Sequence, residues 1–384
     1  MYRKKTHPVA RLFVSFLILT FFLLYSASVF SQVNAEKIKD YLEQIRHENG
    51  SPGISVAVAV GGKIVFSDGV GYAELDNKTP ASGSTVHNIA SISKVVTAVG
   101  IMQLVEQNKI DLDDLIQTYM PTFPEKRAPV TLLSILTHTS GIRHYKRGEW
   151  GSYGLLQLRH YDTITEGIEV FKDDPLLFAP GEYWSYSSHA FNLLQGVIEK
   201  ASGLGFEEYL KNYVWEPAGM LSTSFDVPDR IVHKRGKGYV RNNSGLIVNI
   251  PYVNVSYKYA SGGIISTVED LVRLGVALNN GTLLNRETIA KMYSVQVDPV
   301  VTFSANGNHR RQDYKYAIGW RIDTDVQGRP YINHTGTVKG TRSVLINYPD
   351  YNVVVALQTN ILPFDSRKYG KAIAQMFLPP INPK

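Results

Sequence analysis

Strand-forming segments lie near both ends of this chain of 384 residues, and helix-forming segments lie between them. Residues 56–60 alternate valine with alanine, and a second β-prone run follows at residues 63–66. Gly61-Gly62, between the two runs, can adopt the positive φ angles that a two-residue hairpin turn needs. We therefore predict a β-hairpin near the amino-terminal end.

A second hairpin is predicted near the other end of the chain. Residues 343–348 and 352–359 are rich in strand-forming side chains, and Pro349-Asp350-Tyr351 between them is typical of a turn. A short helix is expected from about residue 367 to residue 377. We expect strands from both chain ends to share one sheet.

The middle of the chain has helical periodicity. Apolar residues recur at helical spacing within residues 92–102 and again within residues 193–198, just before Gly203. Such stripes are typical of helix faces that pack on a core. With 44% hydrophobic and 19% charged residues, the composition fits a compact globular protein and excludes a disordered chain or one with many membrane spans.

The first 31 residues have the pattern of an export signal. A cationic stretch from Arg3 to Arg11 precedes an apolar run at residues 12–25, and small residues follow at 26–28. We predict that residues 1–31 are a signal peptide and that the mature domain, residues 32–384, is periplasmic or secreted. The alternative is an uncleaved signal anchor, which would be the chain's one connection to a membrane.

Charge and residue counts exclude several classes of function. The net charge is +6, but four of these charges lie in residues 1–31, and the remaining +2 lacks the cationic cluster of a nucleic-acid binder. The chain has no cysteine, which excludes disulfides, thiolate metal sites and cysteine nucleophiles. Its ten histidines show no metal-binding spacing, so we expect no metal and no cofactor.

His138 and His144 lie close together in sequence, but no carboxylate or third histidine has ligand-like spacing. We interpret both histidines as loop scaffolding. Arg143, next to them, is expected to hydrogen-bond loop carbonyls rather than an acidic substrate.

Ser91 and Lys94 form a single S-x-x-K pair, and it precedes a helical segment. Residues at i and i+3 share a helix face, so the lysine can approach the serine hydroxyl. A serine nucleophile needs such a nearby base or field, and the pair therefore suits acyl transfer. Taken alone, Ser91 could equally be a helix N-cap.

Two further motifs follow in order, Tyr186-Ser187-Ser188 and His334-Thr335-Gly336. With the S-x-x-K pair they resemble the serine β-lactamase and penicillin-binding protein superfamily, where S-x-x-K precedes Y-x-N and then Lys-Thr-Gly or His-Thr-Gly. The resemblance is to the class C-related branch. Residues 136–145, 174–178 and 260–267 are similar to the mitochondrial serine β-lactamase-like group, and the resemblance covers about residues 38–360.

The resemblance implies an α/β (α+β) fold. Its antiparallel sheet is flanked by helices, and a mostly helical domain is inserted at about residues 95–250, with the site in the cleft. Ser91 would be the nucleophile, and Lys94 and Tyr186 would activate it. Because an adjacent ammonium favours a phenolate, Lys94 and Tyr186 are expected to titrate as a coupled pair, and either could be the base.

The resemblance also implies the substrate-binding groups. The main-chain N–H groups of Ser91 and Thr337 would form the oxyanion hole. The other residues expected to contact substrate belong to the second and third motifs: Ser188, His334, Thr335 and Gly336.

Two positions depart from the family pattern. Ser188 stands where the family usually has asparagine, and a hydroxyl offers one donor where a carboxamide both donates and accepts. His334 replaces the usual lysine, and with an ordinary pKa near 6.5 it is expected to be partly charged at pH 7 and to hold a substrate carboxylate less firmly. Fast β-lactam hydrolysis is therefore not expected.

These features predict a serine hydrolase that forms an acyl-enzyme on a small peptide, amide or ester, with a D-amino-acid peptide as the leading substrate class. An alternative is a catalytically slow cell-envelope binding, sensor or assembly protein on the same fold. A structural module without a ligand is the remaining hypothesis. The sequence does not determine the oligomeric state.

Overall fold

The computed structural model of the protein describes residues 35–149, 155–303 and 309–380. The predicted signal segment, residues 1–31, lies outside these ranges. Across the described part of the chain, we find no helix with both the length and the apolar character needed to cross a bilayer.

The described part of the chain contains both strands and helices. The strands are β1 Gly53–Val60, β2 Lys63–Glu74, β3 Thr79–Pro80, β4 His87–Asn88, β5 Ser224–Phe225, β6 Tyr239–Arg241, β7 Ile247–Asn249, β8 Ile264–Ser266, β9 Val301–Phe303, β10 His309–Arg311, β11 Lys315–Tyr316, β12 Arg321–Thr324, β13 Pro330–Val338, β14 Thr341–Tyr348, β15 Val353–Thr359 and β16 Ile361–Leu362. The helices are α1 (described over residues 35–49), α2 Ser93–Glu106, α3 Ile116–Tyr119, α4 Leu132–Leu136, α5 Ile164–Ile168, α6 Ser188–Ser202, α7 Phe206–Leu210, α8 Tyr259–Gly262, α9 Val268–Asn279, α10 Arg286–Tyr293 and α11 Ser366–Gln375.

Within the described residues, an eight-stranded antiparallel sheet forms the framework, in the order β11-β12-β13-β14-β15-β1-β2-β3. At its centre β1 pairs with β15, and Val56 lies opposite Leu357. The prediction that both chain ends share one sheet is therefore confirmed.

Both predicted hairpins are present. Gly61 and Gly62 connect β1 to β2 with φ angles of 58° and 82°, the positive values expected for this turn. In the second hairpin, Asn352 has a φ of 48° and belongs to the turn between β14 and β15. The predicted strand at 352–359 is therefore one residue too long, because asparagine tolerates the left-handed conformation that ends this turn.

The two faces of the sheet pack against different helices, because successive side chains of a strand point to opposite faces. Val56 and Val58 belong to a cluster with α1 and α11, whereas Ala57 and Ala59 belong to the larger cluster that contains α2, α6 and α9. The sheet is thus covered on both sides.

Helix α2 is buried from Ser93 through Leu104, on all of its sides. It contacts both α6 and α8, and α6 ends at Gly203, whose φ of 75° provides a left-handed cap. The sequence predicted a single buried face for α2, and the difference arises because the helix lies in the interior between other helices and the sheet. The predicted insertion, at about residues 95–250, contains α2 to α7 and the short strands β5, β6 and β7.

Candidate active site

Ser91 lies in a 3-10 turn, Ala90–Ile92, that leads directly into α2 and packs against β13. Ala90 has a φ of 49°, a left-handed conformation that is uncommon for a residue with a side chain. Its amide donates a hydrogen bond of 2.7 Å to Oδ1 of Asn88, which helps hold this conformation. The strained turn presents Ser91, half-buried, to a cleft.

Lys94 is fully buried one helical turn after Ser91. Its Nζ lies 3.4 Å from Oγ of Ser91, 3.0 Å from Oγ of Ser188 and 2.8 Å from the carbonyl oxygen of Ser261. The amine therefore connects the first two predicted motifs.

Tyr186 is delivered to the same place by the segment before α6. Nζ of Lys94 lies 4.9 Å from the centre of the Tyr186 ring, and the phenol oxygen interacts with the hydroxyls of Ser91 and Ser188. The structure thus brings Ser91, Lys94, Tyr186 and Ser188 together from two distant stretches of chain.

Burial disfavours the charged forms of both titratable groups beside Ser91. Burial, and then the nearby positive charge of Arg321, hold the pKa of Lys94 well below its usual value. Burial raises the pKa of Tyr186, against the opposing effects of Arg321 and of the Ser91 and Ser188 hydroxyls. Both shifts act toward the uncharged forms, a neutral amine beside a neutral phenol, which is the opposite direction to the ammonium and phenolate pair considered from the sequence.

His334 lies on β13 and is fully buried. Its Nδ1 is 2.8 Å from the carbonyl oxygen of Thr335, so Nδ1 carries the proton and donates. Nε2 has no hydrogen-bond partner among the described residues. Burial, followed by the charges of Arg321 and Lys94, holds the pKa of His334 well below 6.5, and the expectation of a partly charged His334 at pH 7 is wrong.

The other predicted residues of the third motif occupy both faces of β13. Thr335 and Thr337 line the cleft. A Cβ on Gly336 would lie 2.1 Å from the carbonyl oxygen of Ile89, so only glycine allows the turn before Ser91 to approach the strand this closely. Oγ1 of Thr337 accepts a hydrogen bond from Arg342, a partner that the sequence did not indicate.

His138 and His144 hold the backbone of the second motif. The amide of Ser187 donates to Nδ1 of His138 at 3.2 Å, and the amide of Ser188 donates to Nδ1 of His144 at 3.1 Å. Within the described residues, no three His, Cys, Asp or Glu side chains come together as a metal site would require. The interpretation of these histidines as scaffolding agrees with this geometry.

Arg143 donates to the carbonyl oxygens of His144 and Val170, both at 2.9 Å, as the sequence predicted. It also forms ion pairs with Glu149 at 2.8 Å and Asp174 at 2.5 Å, which the sequence did not predict. This cluster fixes the loop that carries His144.

Two basic residues at the site had no motif to identify them. Arg321 begins β12, and its guanidinium carbon lies 5.7 Å from the centre of the Tyr186 ring. Lys258 lies just before α8 and is only 4% exposed. The one indication of Lys258 in the sequence is that it is the single charged residue within residues 242–268.

The cleft has a volume of about 560 Å³. Of the described residues that line it, none is acidic, and four are basic: Lys146, Arg147, Lys258 and Arg321. The site therefore favours anions over cations.

A family model described as Beta-lactamase matches residues 38–375 of the chain. The chain is 31% identical to the mitochondrial serine beta-lactamase-like protein LACTB of Homo sapiens, in an alignment that covers 82% of this chain and 72% of that protein.

Two solved structures show the same fold. The octameric penicillin-binding protein homologue from Pyrococcus abyssi is 27% identical with a TM-score of 0.76, and the match covers 89% of this chain and 77% of that one. The penicillin binding protein from Bacillus halodurans is 26% identical with a TM-score of 0.74, and the match covers 88% of this chain and 99% of that one. The predicted fold class, an antiparallel sheet with flanking helices, is confirmed.

Proposed function

The chain belongs to the beta-lactamase family, and from this we propose that it is a serine hydrolase that forms an acyl-enzyme at Ser91 on a small peptide, amide or ester. The observation that carries the proposal is the contact of 3.4 Å between the buried amine of Lys94 and the hydroxyl of Ser91. A base within hydrogen-bond reach of a serine is the arrangement that nucleophilic catalysis needs.

In the proposed mechanism Lys94 is the base. A neutral amine has two N–H donors and one lone pair, and Lys94 has three neighbours. It donates to the carbonyl oxygen of Ser261 at 2.8 Å and to Oγ of Ser188 at 3.0 Å, which leaves the lone pair for the proton of Ser91. The alternative, a Tyr186 phenolate, is disfavoured because burial raises the pKa of that phenol.

The neutral Tyr186 phenol has a proton to give, and in this mechanism it passes that proton to the leaving group as the acyl-enzyme forms. Acylation thus leaves Lys94 protonated and Tyr186 as a phenolate. When water attacks the acyl group, the phenolate takes a proton from the water and Lys94 returns its proton to Oγ of Ser91 as the acyl group leaves, so that both groups end neutral. A permanent positive charge for the site comes from Arg321, because His334 is held neutral by burial.

The amides of Ser91 and Thr337 form the proposed oxyanion hole. Lys339 and Gly340 make a two-residue turn with φ angles of 49° and 70°, so Val338 and Thr341 form the hydrogen-bonded pair that closes the hairpin. In an antiparallel ladder the next pair is not hydrogen-bonded, and the Thr337 amide therefore points away from β14. On the other side of β13, the pairing with β12 ends at Asn333 among the described residues. The pairing therefore does not extend to Thr337, and the Thr337 amide is available to a ligand.

The test is intact-mass analysis after incubation with a fluorescent penicillin and with a fluorophosphonate. Wild-type chain should gain one acyl or phosphonyl adduct, and Ser91→Ala should gain none while its Tm is unchanged. Equal labelling of both proteins would reject the proposal.

A second candidate function is a cell-envelope protein that binds substrate without rapid turnover. One observation favours it: none of the described residues that line the cleft is a carboxylate that could activate water for release of the acyl group. A burst of product without steady release would support this function, and sustained hydrolysis would exclude it.

The proposed place of action is outside the cytosol, supported by the pattern of residues 1–31. Amino-terminal sequencing of protein recovered from the exported fraction tests it. A mature chain that begins near residue 32 supports cleavage, and an intact amino terminus in the membrane fraction supports the anchor.

A further inference from the structure

Lys258 is a buried cation without a counter-ion. No hydrogen bond or ion pair joins its Nζ to any of the described residues, and its ammonium lies instead 5.3 Å and 5.8 Å from the ring centres of Tyr257 and Tyr145. By contrast, nearby Lys339 is paired with Asp226 at 2.9 Å. Burying an unpaired ammonium costs free energy, and such a residue in a cleft is a candidate for binding a ligand.

Lys258 is also close to the nucleophile. A Cβ on Gly262 would lie 3.7 Å from Cδ of Lys258 and 3.8 Å from the carbonyl carbon of Ala90, the atom bonded to the Ser91 nitrogen. Because Gly262 has no side chain, the space between Lys258 and the Ser91 peptide is open to the cleft. A group attached to the acyl carbon at Ser91 could therefore reach the Lys258 ammonium.

The other described residues that line the cleft include no anion that could pair with this ammonium. Of the described lining residues none is acidic, and the Thr335 and Thr337 side chains on β13 carry no charge. Lys258 lies just before α8, a different element from β13 and its motif. Asp226 acts on Lys258 without contacting it and is itself paired with Arg235 and Lys339, so an incoming anion would be the first to contact the Lys258 ammonium.

We propose that Lys258 binds a carboxylate on the acyl part of the substrate and makes the site selective for anionic acyl groups. This inference rests on the proposed hydrolase function. Binding here would pair a charge that is already desolvated, and a charge-assisted hydrogen bond in such a place is strong.

The surroundings of Lys258 also give the selectivity a pH dependence. Burial, and then the charges of Lys94 and Lys339, lower the pKa of Lys258 to about 7, and Asp226 acts in the opposite direction. The remaining groups that face it are His144 and the phenols of Tyr145 and Tyr257. As the pH rises above about 7, Lys258 loses its proton and the preference for an anionic acyl group should fall.

The experiment compares two esters of equal acyl length, p-nitrophenyl hexanoate and mono-p-nitrophenyl adipate, which differ by a terminal carboxylate. The readout is the ratio of their kcat/KM values, adipate over hexanoate, after subtraction of spontaneous hydrolysis. Lys258→Met removes the charge with little change of volume. Lys291→Met, an exposed lysine on α10, is the matched control for the loss of one positive charge.

The inference predicts that Lys258→Met lowers the ratio by about tenfold to a hundredfold, the cost of a hydrogen bond to a charged group, through KM for the adipate. The Lys291→Met ratio should stay within about twofold of wild type. Because the readout is a ratio, an effect of Lys258→Met on both esters alike cancels. In wild type alone, the ratio should fall from about pH 6 to about pH 8.5, and this second measurement holds even if the variant does not fold.

An unchanged ratio in Lys258→Met, or a wild-type ratio that does not fall with pH, would overturn the inference while leaving the hydrolase proposal intact. If neither ester is hydrolysed in a way that Ser91→Ala abolishes, the proposed function itself fails. In that case the role of Lys258 fails with it.

Discussion

Nζ of Lys94 lies 3.0 Å from Oγ of Ser188, closer than to the proposed nucleophile. The Ser188 hydroxyl thus contacts the Lys94 amine from the position where the family usually has asparagine. In the proposed mechanism this bond keeps one N–H of Lys94 occupied, so that its lone pair faces Ser91.

Ser188→Ala should therefore slow acylation by about tenfold, the value of a hydrogen bond to a group that carries charge during the reaction. Stopped-flow labelling with a fluorescent penicillin measures the rate. Ser202→Ala, at the far end of α6, is the control for a lost hydroxyl on the same helix. Acylation at the wild-type rate in Ser188→Ala would show that the contact does not orient Lys94.

Lys94→Met should lower activity without lowering stability. Loss of the base is expected to slow labelling of Ser91 by about a hundredfold to ten-thousandfold. Because Lys94 is fully buried, replacing it with an apolar side chain of similar length should leave Tm unchanged or raise it. The pair of measurements is the rate of fluorophosphonate labelling and the thermal unfolding curve, and labelling at the wild-type rate would contradict the role given to Lys94.

Arg321→Met should move the pH profile of acylation to higher pH. The guanidinium helps to lower the pKa of Lys94, so its removal lets the amine keep its proton to a higher pH. Since only the neutral amine accepts the Ser91 proton, the rising limb of kcat/KM against pH shifts in the alkaline direction. A shift in the acidic direction, or none, would show that Arg321 does not act on the base.

The motifs could be predicted from sequence because their geometry is local. Ser91 and Lys94 meet through one helical turn, and the turn that follows β1 is determined by Gly61-Gly62. Arg321 and the burial of His334 could not be predicted, because both depend on packing between separate elements. Arg321 enters the site through the register of β12 with β13, where it lies opposite Asn333, and no local pattern encodes that register.

The buried histidines should make the protein less stable in acid. Five of the described histidines have a pKa lowered chiefly by burial: His87 to about 4, His144 to about 3, and, in direction, His138, His189 and His334. In the unfolded chain each titrates near 6.5, so below that pH the unfolded state binds more protons than the folded state.

Their contribution to stability is therefore complete above about pH 6.5 and is lost progressively as the pH falls toward the folded values. Each histidine steepens the loss by up to about 1.4 kcal/mol per pH unit. Urea unfolding at about pH 7 and about pH 5 measures the difference in the free energy of unfolding. Equal stability at the two pH values would contradict the prediction.

Replacing Arg143 should lower the free energy of unfolding far more than replacing Lys146, which pairs with the same Asp174. The Arg143 side chain is 8% exposed and pairs with Glu149 and Asp174, which are themselves mostly buried. Arg143→Met leaves two carboxylates without their common cation, and we expect the free energy of unfolding to fall by about 3 kcal/mol. Lys146→Met removes a side chain that is 57% exposed from the same Asp174 and should cost less than about 1 kcal/mol.

Because the cluster fixes the loop of His144, whose Nδ1 accepts from the Ser188 amide, Arg143→Met should also slow acylation in molecules that remain folded. Similar losses from the two variants, measured by urea unfolding, would show that burial does not distinguish these ion pairs.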